Sequence, residues 1–228
     1  VISERFPKTI TTNNKRLTYD EADSIIKNGS SNKKLETTIK NLQIVTAILG
    51  KKYKTTEIYE KVKENIDDFS DLRVKRVGAE KIVYQTMLLT GNRVAEYFDR
   101  NDIPCILRVL EFNEKNIKKL EDLVENLTKT YGGDQYKKLL ELISGLFPNA
   151  WYATKGSHFG VGLRRYLHCT SEIRRSPDIV NEHALEIYYD KIPTEEEKQE
   201  LKEETETIAT ELNATLSQMD WFVKDYKR

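Results

Sequence analysis

The sequence has little cysteine and no long apolar run. Its two cysteines, Cys105 and Cys169, lie far apart, and neither has a second Cys or His at a spacing typical of a zinc site. We therefore expect reduced core thiols and an intracellular, reducing compartment, whether cytoplasm, nucleus or an organelle matrix. No apolar run approaches the roughly 18 residues that a membrane span needs, so we expect no membrane contact.

The chain also lacks an excess of either charge. Its 228 residues include 37 basic and 37 acidic ones, so any RNA site must be a local patch rather than a consequence of net charge. The 38% hydrophobic and 32% charged content is typical of a helical globular protein rather than a disordered one. The sequence begins with Val rather than Met, and we expect a fragment or a processed or trimmed chain.

Helical periodicity dominates the sequence. Thr18 and Glu21 form a capping box at the start of a helix predicted at 18–27, and apolar residues at helical spacing predict a second helix up to Gly50. The same reasoning predicts helices at 79–100, 113–130, 135–146, 179–190 and 194–225, whereas 51–78 is only weakly periodic. The apolar run Ile103 to Leu110 is interpreted as a buried extended segment. The expected fold class is α+β and predominantly α-helical.

The segment from Trp151 to Asp178 has a different composition, which predicts a site in irregular structure. Aromatic residues, three glycines, two of the three histidines and four arginines occur within it. Its basic residues are interleaved with aromatic ones, as a single-stranded RNA channel requires, although a solvated charged surface is the alternative. These basic residues are Lys155, Arg164, Arg165, Arg174 and Arg175.

Two sequences in this segment, HFGVG at 158–162 and YLHCTSEIRRSPD at 166–178, resemble the signature of the RNB family of 3′-to-5′ exoribonucleases, which includes ribonuclease II and ribonuclease R. Weaker matches precede them in the family's order: RLTYDEA at 16–22, MLL and VA within 87–95, and IP and LRV within 103–109. The resemblance implies the C-terminal part of an RNB-like catalytic domain at 1–192, followed by a long helix at 193–228.

The resemblance also implies an activity: hydrolysis of a single-stranded RNA from its 3′ end, with release of nucleoside 5′-monophosphates. In the family an aspartate cluster holds two divalent metal ions, implied to be Mg²⁺. This cluster lies upstream of the segment that RLTYDEA matches, so its ligands would come from an upstream segment or a second chain that completes the domain. No metal ligand is assigned to this chain, and the acidic run at 67–71 is interpreted as a solvated loop.

The signature supplies candidate residues for an RNA end. Arg174 matches the family's phosphate-contacting arginine. A planar guanidinium suits this role, because it can bind phosphate through two hydrogen bonds. Arg174 and Gln85 are the candidate catalytic residues. Arg175 either contacts RNA or pairs with an acid such as Asp178 or Glu182.

Thr170 and Ser171 are expected to cap the next helix, to bind RNA phosphate, or both. His158 either contacts RNA or is a structural histidine with satisfied hydrogen bonds. Tyr152 and Tyr166 are candidates for base stacking, with packing in the core as the alternative.

Several positions depart from the family pattern. Gln85 stands where the family usually has an acid near the terminal ribose, so it can bind a 2′-hydroxyl but cannot act as an anionic base. Glu172 replaces a proline, Ser176 replaces an aromatic residue, and Glu182 stands where His is common. The charge of Glu172 beside Arg174 opposes phosphate binding. The alternative to a nuclease part is therefore a catalytically inactive, RNB-derived RNA-binding or structural subunit of a larger complex.

Overall fold

The computed structural model describes residues 6, 9–13, 15–52, 78–111, 149–190 and 193–226, together with 119, 122–123, 125–126 and 129–130. These ranges contain helices α1 (Tyr19–Asn28), α2 (Lys33–Lys52), α3 (Gly78–Arg100), α4 (Ser176–Asp190) and α5 (Glu195–Tyr226), and strands β1 (Leu107–Val109) and β2 (Trp151–Ala153). A 3₁₀ turn spans Phe159–Val161. The predicted α+β, predominantly helical class is confirmed.

The predicted helices agree with the structure wherever it describes them. The described residues between 119 and 130 are helical, as expected for the helix at 113–130. The predicted helix at 135–146 and the acidic run at 67–71 lie outside the described residues. Within the described part of the chain, no helix combines the length and the apolar content that crossing a bilayer requires.

Helix α1 begins with the predicted capping box. The Thr18 hydroxyl oxygen accepts from the Glu21 N–H at 3.2 Å, and the Glu21 carboxylate accepts from the Thr18 N–H at 2.7 Å. The helix ends before Gly29, whose φ of +79° favours a residue without a Cβ. Asp23 of α1 accepts from the Ala79 N–H at 2.7 Å, so α1 caps the start of α3. Helices α1, α2 and α3 pack against one another.

Helix α3 carries the main core face. Phe98 and Ala95 are fully buried, and they pack with the strand segment and with residues of α4 and α5. At Gly91, where the family pattern has Asn, a Cβ would lie 2.4 Å from the Leu167 carbonyl oxygen and 2.7 Å from a ring carbon of Tyr166. Glycine therefore permits α3 to approach the 166–167 backbone closely. The core cluster comprises Val94, Ala95, Phe98, Ile103, Cys105, Leu107, Val109, Leu167, Ala184 and Leu201.

The predicted extended run contains β1, which pairs with β2 in antiparallel register. Arg108 lies opposite Tyr152, with Leu107 opposite Ala153 and Val109 opposite Trp151. Isolated bridges join Leu107 to Leu167 and Leu110 to His158. The small sheet thus links the core to the 158–168 segment that carries the candidate residues.

Two helices complete the described chain. Helix α4 begins at Ser176, three residues before its predicted start, with Pro177 in the first turn, where a missing N–H is tolerated. Helix α5 starts behind a capping box in which Thr194 and Glu197 exchange hydrogen bonds of 2.8 and 3.2 Å. Helix α5 packs against β2, which matters for the site described below.

Candidate nucleic-acid interface

Asp178 organises the loop that precedes α4. It is fully buried, and its Oδ1 accepts from the N–H groups of Thr170 and Ser171, each at 2.7 Å, and from the Arg175 guanidinium at 2.6 Å. The same guanidinium donates to the Thr170 hydroxyl at 3.2 Å. A buried carboxylate requires such donors, and here they close residues 170–178 into a loop.

This geometry decides between predicted roles. Arg175 pairs with Asp178, one of its two predicted acidic partners. The prediction that Thr170 and Ser171 cap the next helix is wrong, because α4 begins only at Ser176 and Asp178 takes both of their N–H groups. These two N–H groups point inward and are not available to an anion. RNA contact by the two hydroxyl groups stays a prediction.

Four rings meet beside this loop. The His168 ring lies edge-on to Tyr152 and to Tyr166, with centroid distances of 5.9 and 5.6 Å. The Tyr152 hydroxyl lies 3.3 Å from His168 Nδ1, and Tyr166 also meets His158 edge-on at 5.7 Å. Edge-to-face contacts of this kind favour one fixed arrangement. The structure therefore brings together the predicted residues Tyr152, His158 and Tyr166 through His168, to which the sequence analysis gave no role.

Arg108 is a second residue that sequence reasoning missed. Its guanidinium carbon lies 4.5 Å from the centroid of the Tyr152 ring, a cation–π distance. The main-chain N–H of Arg108 donates to the Tyr166 carbonyl oxygen at 2.8 Å, so Arg108 contacts both tyrosines. The only sequence signal was its place in the weak LRV match, because the contact with Tyr152 depends on strand register.

Burial and positive neighbours keep the two histidines of this cluster neutral. Burial, followed by the charge of Arg175, lowers the pKa of His168 to about 3. Burial, followed by the charge of Arg108, lowers the pKa of His158 to about 4. Burial raises the pKa of Tyr166 to about 12. Near neutral pH the cluster therefore presents uncharged rings beside arginines that are always charged, an arrangement suited to bases and phosphates rather than to proton transfer.

The two candidate catalytic residues have opposite surroundings. Arg174 is exposed, and its side chain has no hydrogen bond or ion pair with any residue that the structure describes. Gln85 is 5% exposed, and its Oε1 has no hydrogen-bond partner among the described residues. No contact between Arg174 and Gln85 is described, so their joint action stays a prediction.

Gln85 shares a face of α3 with residues that reach the 163–166 segment. Leu88 packs with Leu163 and Tyr166, and Asn92 donates to the Arg165 carbonyl oxygen at 2.9 Å. Gln85 precedes Asn92 by seven residues, or about 10 Å along the helix axis. The helix therefore places Gln85 on the side of α3 that faces the 163–166 segment, two turns before the hydrogen bond of Asn92 to Arg165.

Two of the five basic side chains in the predicted cluster form ion pairs. Arg165 pairs with Asp99 of α3, and Arg175 pairs with Asp178, whereas Lys155, Arg164 and Arg174 are exposed.

His158 keeps a buried Nδ1 without a partner among the described residues, so the expectation of a fully satisfied structural histidine is not met at this atom.

Glu172 and Glu182 form a carboxyl pair at the loop that carries Arg174. Their side chains hydrogen-bond each other, which requires a proton on one of them. Desolvation and the contact with Glu172 raise the pKa of Glu182 to about 8, and the hydrogen bond from Glu182 lowers the pKa of Glu172. Near neutral pH the pair thus carries about one negative charge, fewer than the two that the sequence suggests.

The described residues do not fit a metal ion. Within the ranges given above, no group of three or more His, Cys, Asp or Glu side chains is arranged to hold one. We therefore derive no chemical step from a metal at this site.

Fold and site together define an α+β protein in which helices enclose a small sheet, and in which an arginine–aspartate loop adjoins a cluster of aromatic and imidazole rings. A sequence profile of the RNB domain matches residues 1–191. The chain belongs to the RNB family.

Proteins similar to this chain include nucleases and, in fold, a pseudonuclease. Ribonuclease R of Thermotoga maritima is 29% identical over 135 residues, which cover 50% of this chain and 19% of the relative. Mycoplasma genitalium RNase R, solved in complex with ribose-methylated single-stranded RNA, matches with a TM-score of 0.63 at 22% identity and covers 86% of this chain and 36% of that one.

Yeast Ssd1, a pseudonuclease, matches with a TM-score of 0.53 at 18% identity and covers 87% of this chain and 28% of that one. The chain spans about a fifth of the length of the curated relatives it matches. The structural likeness confirms the expected fold, which nucleases and a pseudonuclease share.

Proposed function

We propose that this chain is the RNA-end-binding part of an RNB-family 3′-to-5′ exoribonuclease, which hydrolyses single-stranded RNA to nucleoside 5′-monophosphates. The observation that carries the proposal is the difference in surroundings between two adjacent arginines. Arg175 is tied down by Asp178 and Thr170, whereas Arg174 extends from the same loop into solvent. A fixed loop with one projecting guanidinium is suited to binding a phosphate of an RNA end.

The ring cluster supplies the second contact in this proposal. Tyr152 is half-buried and Tyr166 is buried, so the remaining surface favours Tyr152 over Tyr166 as the base-contacting ring. Stacking on one aromatic ring contributes about 1–3 kcal/mol per base in single-strand binders. With His158 and His168 neutral, the positive charge of the site comes from its arginines: Arg174 is exposed to the phosphates, and Arg108 lies over the Tyr152 ring.

Residues 1–192 would then be the C-terminal part of an RNB-like domain, with 193–228 as an appended long helix. Binding of Mg²⁺ is assigned to aspartates of an upstream segment or a second chain, because the family's aspartate cluster lies upstream of the segment that RLTYDEA matches. An intracellular, reducing compartment suits the free thiols of Cys105 and Cys169.

A second function is favoured by a specific observation. Gln85 is neutral and buried, and the carboxyl pair of Glu172 and Glu182 adds a negative charge to the loop that carries Arg174. Both features weaken the case for catalysis, and the likeness extends to a pseudonuclease. The alternative is a catalytically inactive RNB-derived subunit that binds RNA or supports a larger complex.

The test measures binding and cleavage separately in the complete protein that contains this chain. Binding of a 5′-fluorescein single-stranded RNA in EDTA is compared for wild type, Arg174→Ala and the exposed α5 control Lys202→Ala at several salt concentrations. Arg174→Ala should weaken binding about tenfold and reduce the salt slope by about 1, while the control should change neither.

Cleavage is followed with Mg²⁺ by gel electrophoresis of the same RNA. Shortening from the 3′ end with release of nucleoside monophosphates supports the nuclease proposal. Binding that depends on Arg174 without any shortening supports the inactive RNA-binding subunit. Unchanged binding by Arg174→Ala would remove this residue from the site and overturn RNA binding by this loop in both proposals, so that of the two only a subunit that supports a larger complex would remain.

A further inference from the structure

We propose that Asn213 of α5 is a positioning residue that fixes Tyr152 in the candidate RNA site; this inference rests on the proposed function. The Asn213 amide nitrogen donates to the Tyr152 carbonyl oxygen at 2.7 Å, and the Asn213 amide oxygen accepts from the Tyr152 N–H at 2.8 Å. One side chain thus satisfies both main-chain groups of one residue, 61 positions away in sequence.

The two hydrogen bonds imitate those of a neighbouring strand. Strand β2 has β1 on one edge, and Asn213 occupies the other edge at Tyr152. Because an exposed strand edge presents unpaired N–H and C=O groups, a helix that carries a donor and an acceptor side by side can complete it. Asparagine is suited to this role, since its amide offers both.

This edge contact also determines how Tyr152 faces Arg108. Both main-chain groups of Tyr152 point to Asn213, and the Arg108 N–H points to Tyr166. The opposed residues Arg108 and Tyr152 are therefore a non-hydrogen-bonded pair of the antiparallel ladder. Side chains of such pairs lie closer together than those of hydrogen-bonded pairs, which accounts for the guanidinium over the Tyr152 ring at 4.5 Å.

Helix α5 is docked so that Asn213 reaches this position. Leu201, Thr205 and Ala209 are buried, and they precede Asn213 at intervals of four residues, which place all four on one stripe of the helix. The Thr205 hydroxyl donates to the Leu201 carbonyl oxygen at 2.6 Å, so its burial leaves the hydroxyl satisfied. The stripe holds α5 on the sheet, and the two hydrogen bonds of Asn213 then fix the main chain of Tyr152.

The contacts of the Tyr152 ring extend into the site. The ring meets Arg108 on its face, and its hydroxyl meets His168 Nδ1. If the backbone of Tyr152 lost Asn213, it would exchange protein partners for water or for none, and the ring would lose its fixed relation to both neighbours. Asn213 itself touches none of the candidate RNA-contacting side chains in the described hydrogen bonds, so it acts through Tyr152.

The experiment is a double-mutant cycle in the complete protein. Affinity for the 5′-fluorescein single-stranded RNA in EDTA is measured for wild type, Asn213→Ala, Tyr152→Ala and the double variant. Tyr152→Ala should weaken binding about tenfold, and Asn213→Ala about fivefold. In the Tyr152→Ala background Asn213→Ala should add nothing, because the aromatic ring through which it acts is gone, although the main-chain groups that Asn213 binds remain.

Two further variants separate positioning from stability. Ile25→Ala removes buried apolar surface from α1 and leaves α5 unchanged, so it should lower the free energy of unfolding and leave RNA affinity unchanged under folding conditions. Asn213→Asp keeps an acceptor for the Tyr152 N–H but places a carboxylate oxygen against the Tyr152 carbonyl. It should weaken binding at least as much as Asn213→Ala.

A readout without RNA keeps the inference testable by itself. The ¹⁵N resonance of His168 Nδ1, assigned with a His168→Gln variant, should shift in Asn213→Ala as it does in Tyr152→Phe, and should not shift in Ile25→Ala. An unchanged resonance in Asn213→Ala, or equal effects of Asn213→Ala in both backgrounds, would overturn the positioning role. If Tyr152→Ala binds RNA like wild type, base contact by Tyr152 fails, and the resonance alone decides on Asn213.

Discussion

The loop at 170–178 and the Gln85 turn of α3 differ in how their buried polar side chains are held. Asp178 Oδ1 accepts three hydrogen bonds from within its own loop, whereas Gln85 Oε1 accepts none from the described residues. Asp178 Oδ2 and Arg175 Nε also have no partner among the described residues, but each of these residues is held through another atom. A buried acceptor without a donor costs about 1–3 kcal/mol. The loop is therefore fixed by its own residues, while the Gln85 turn would gain stability from a donor that comes from a ligand or from another part of the protein.

The largest expected effect is that of Asp178→Ala. The substitution leaves the buried guanidinium of Arg175 unpaired and removes the acceptor of two N–H groups, so the free energy of unfolding should fall by about 3–5 kcal/mol. Urea denaturation followed by circular dichroism measures this change. Glu206→Ala on the exposed side of α5 is the control and should change stability little. A loss below about 1 kcal/mol would show that Asp178 does not organise the loop.

The second prediction concerns the Gln85 turn. Gln85→Met keeps a similar length and removes the unpartnered oxygen, so the free energy of unfolding should rise by about 1 kcal/mol. The same denaturation experiment measures it, with Gln43→Met on exposed α2 as the matched control. Destabilisation instead would mean that Oε1 has a donor in the folded protein, and the contrast between the two regions would disappear.

The smallest effect is expected at the carboxyl pair within the loop region. The pKa of Glu182 is raised from 4.5 to about 8, so its protonated form contributes stability below about pH 4.5, and this contribution is lost as the pH rises towards 8. Glu182→Gln should therefore be more stable than wild type at pH 8 and should lose this advantage towards pH 5.

Denaturation midpoints measured between pH 5 and 8 test this sign, with Glu206→Gln as the control. A pH-independent difference between wild type and Glu182→Gln would contradict a shared proton. Because Glu182 is largely exposed, solvent screening keeps the effect small compared with that of Asp178→Ala.

Interactions over short sequence distances were predictable from the sequence. The capping boxes of α1 and the pairing of Arg175 with Asp178 span three residues each, and a motif reveals them directly. The exception is instructive: Thr170 and Ser171 match the residue types of an N-cap, but buried Asp178 competes for their N–H groups and the helix begins later. At this loop the hydrogen-bond requirement of the buried Asp178 carboxylate mattered more for the start of the helix than the capping preference of Thr170 and Ser171.

The rest of the site depends on strand register and helix docking. Arg108 over Tyr152 follows from which residues oppose each other in a two-stranded ladder, and Asn213 reaches Tyr152 only because α5 packs on β2. Neither relation leaves a periodic pattern in the sequence. The family signature predicted the fold and the segment that carries the site, but not the residues that hold it in place.

Because Gly91 has no side chain, helix α3 can lie close to the 166–167 backbone at the candidate site. A single methyl group there would meet the Leu167 carbonyl oxygen at 2.4 Å, and the backbone carbonyl has no rotamer by which to move aside. Any larger residue would act as a wedge between α3 and the 166–167 backbone beside the ring cluster. The distance between Gln85 and the aromatic rings therefore depends on a position that has no side chain.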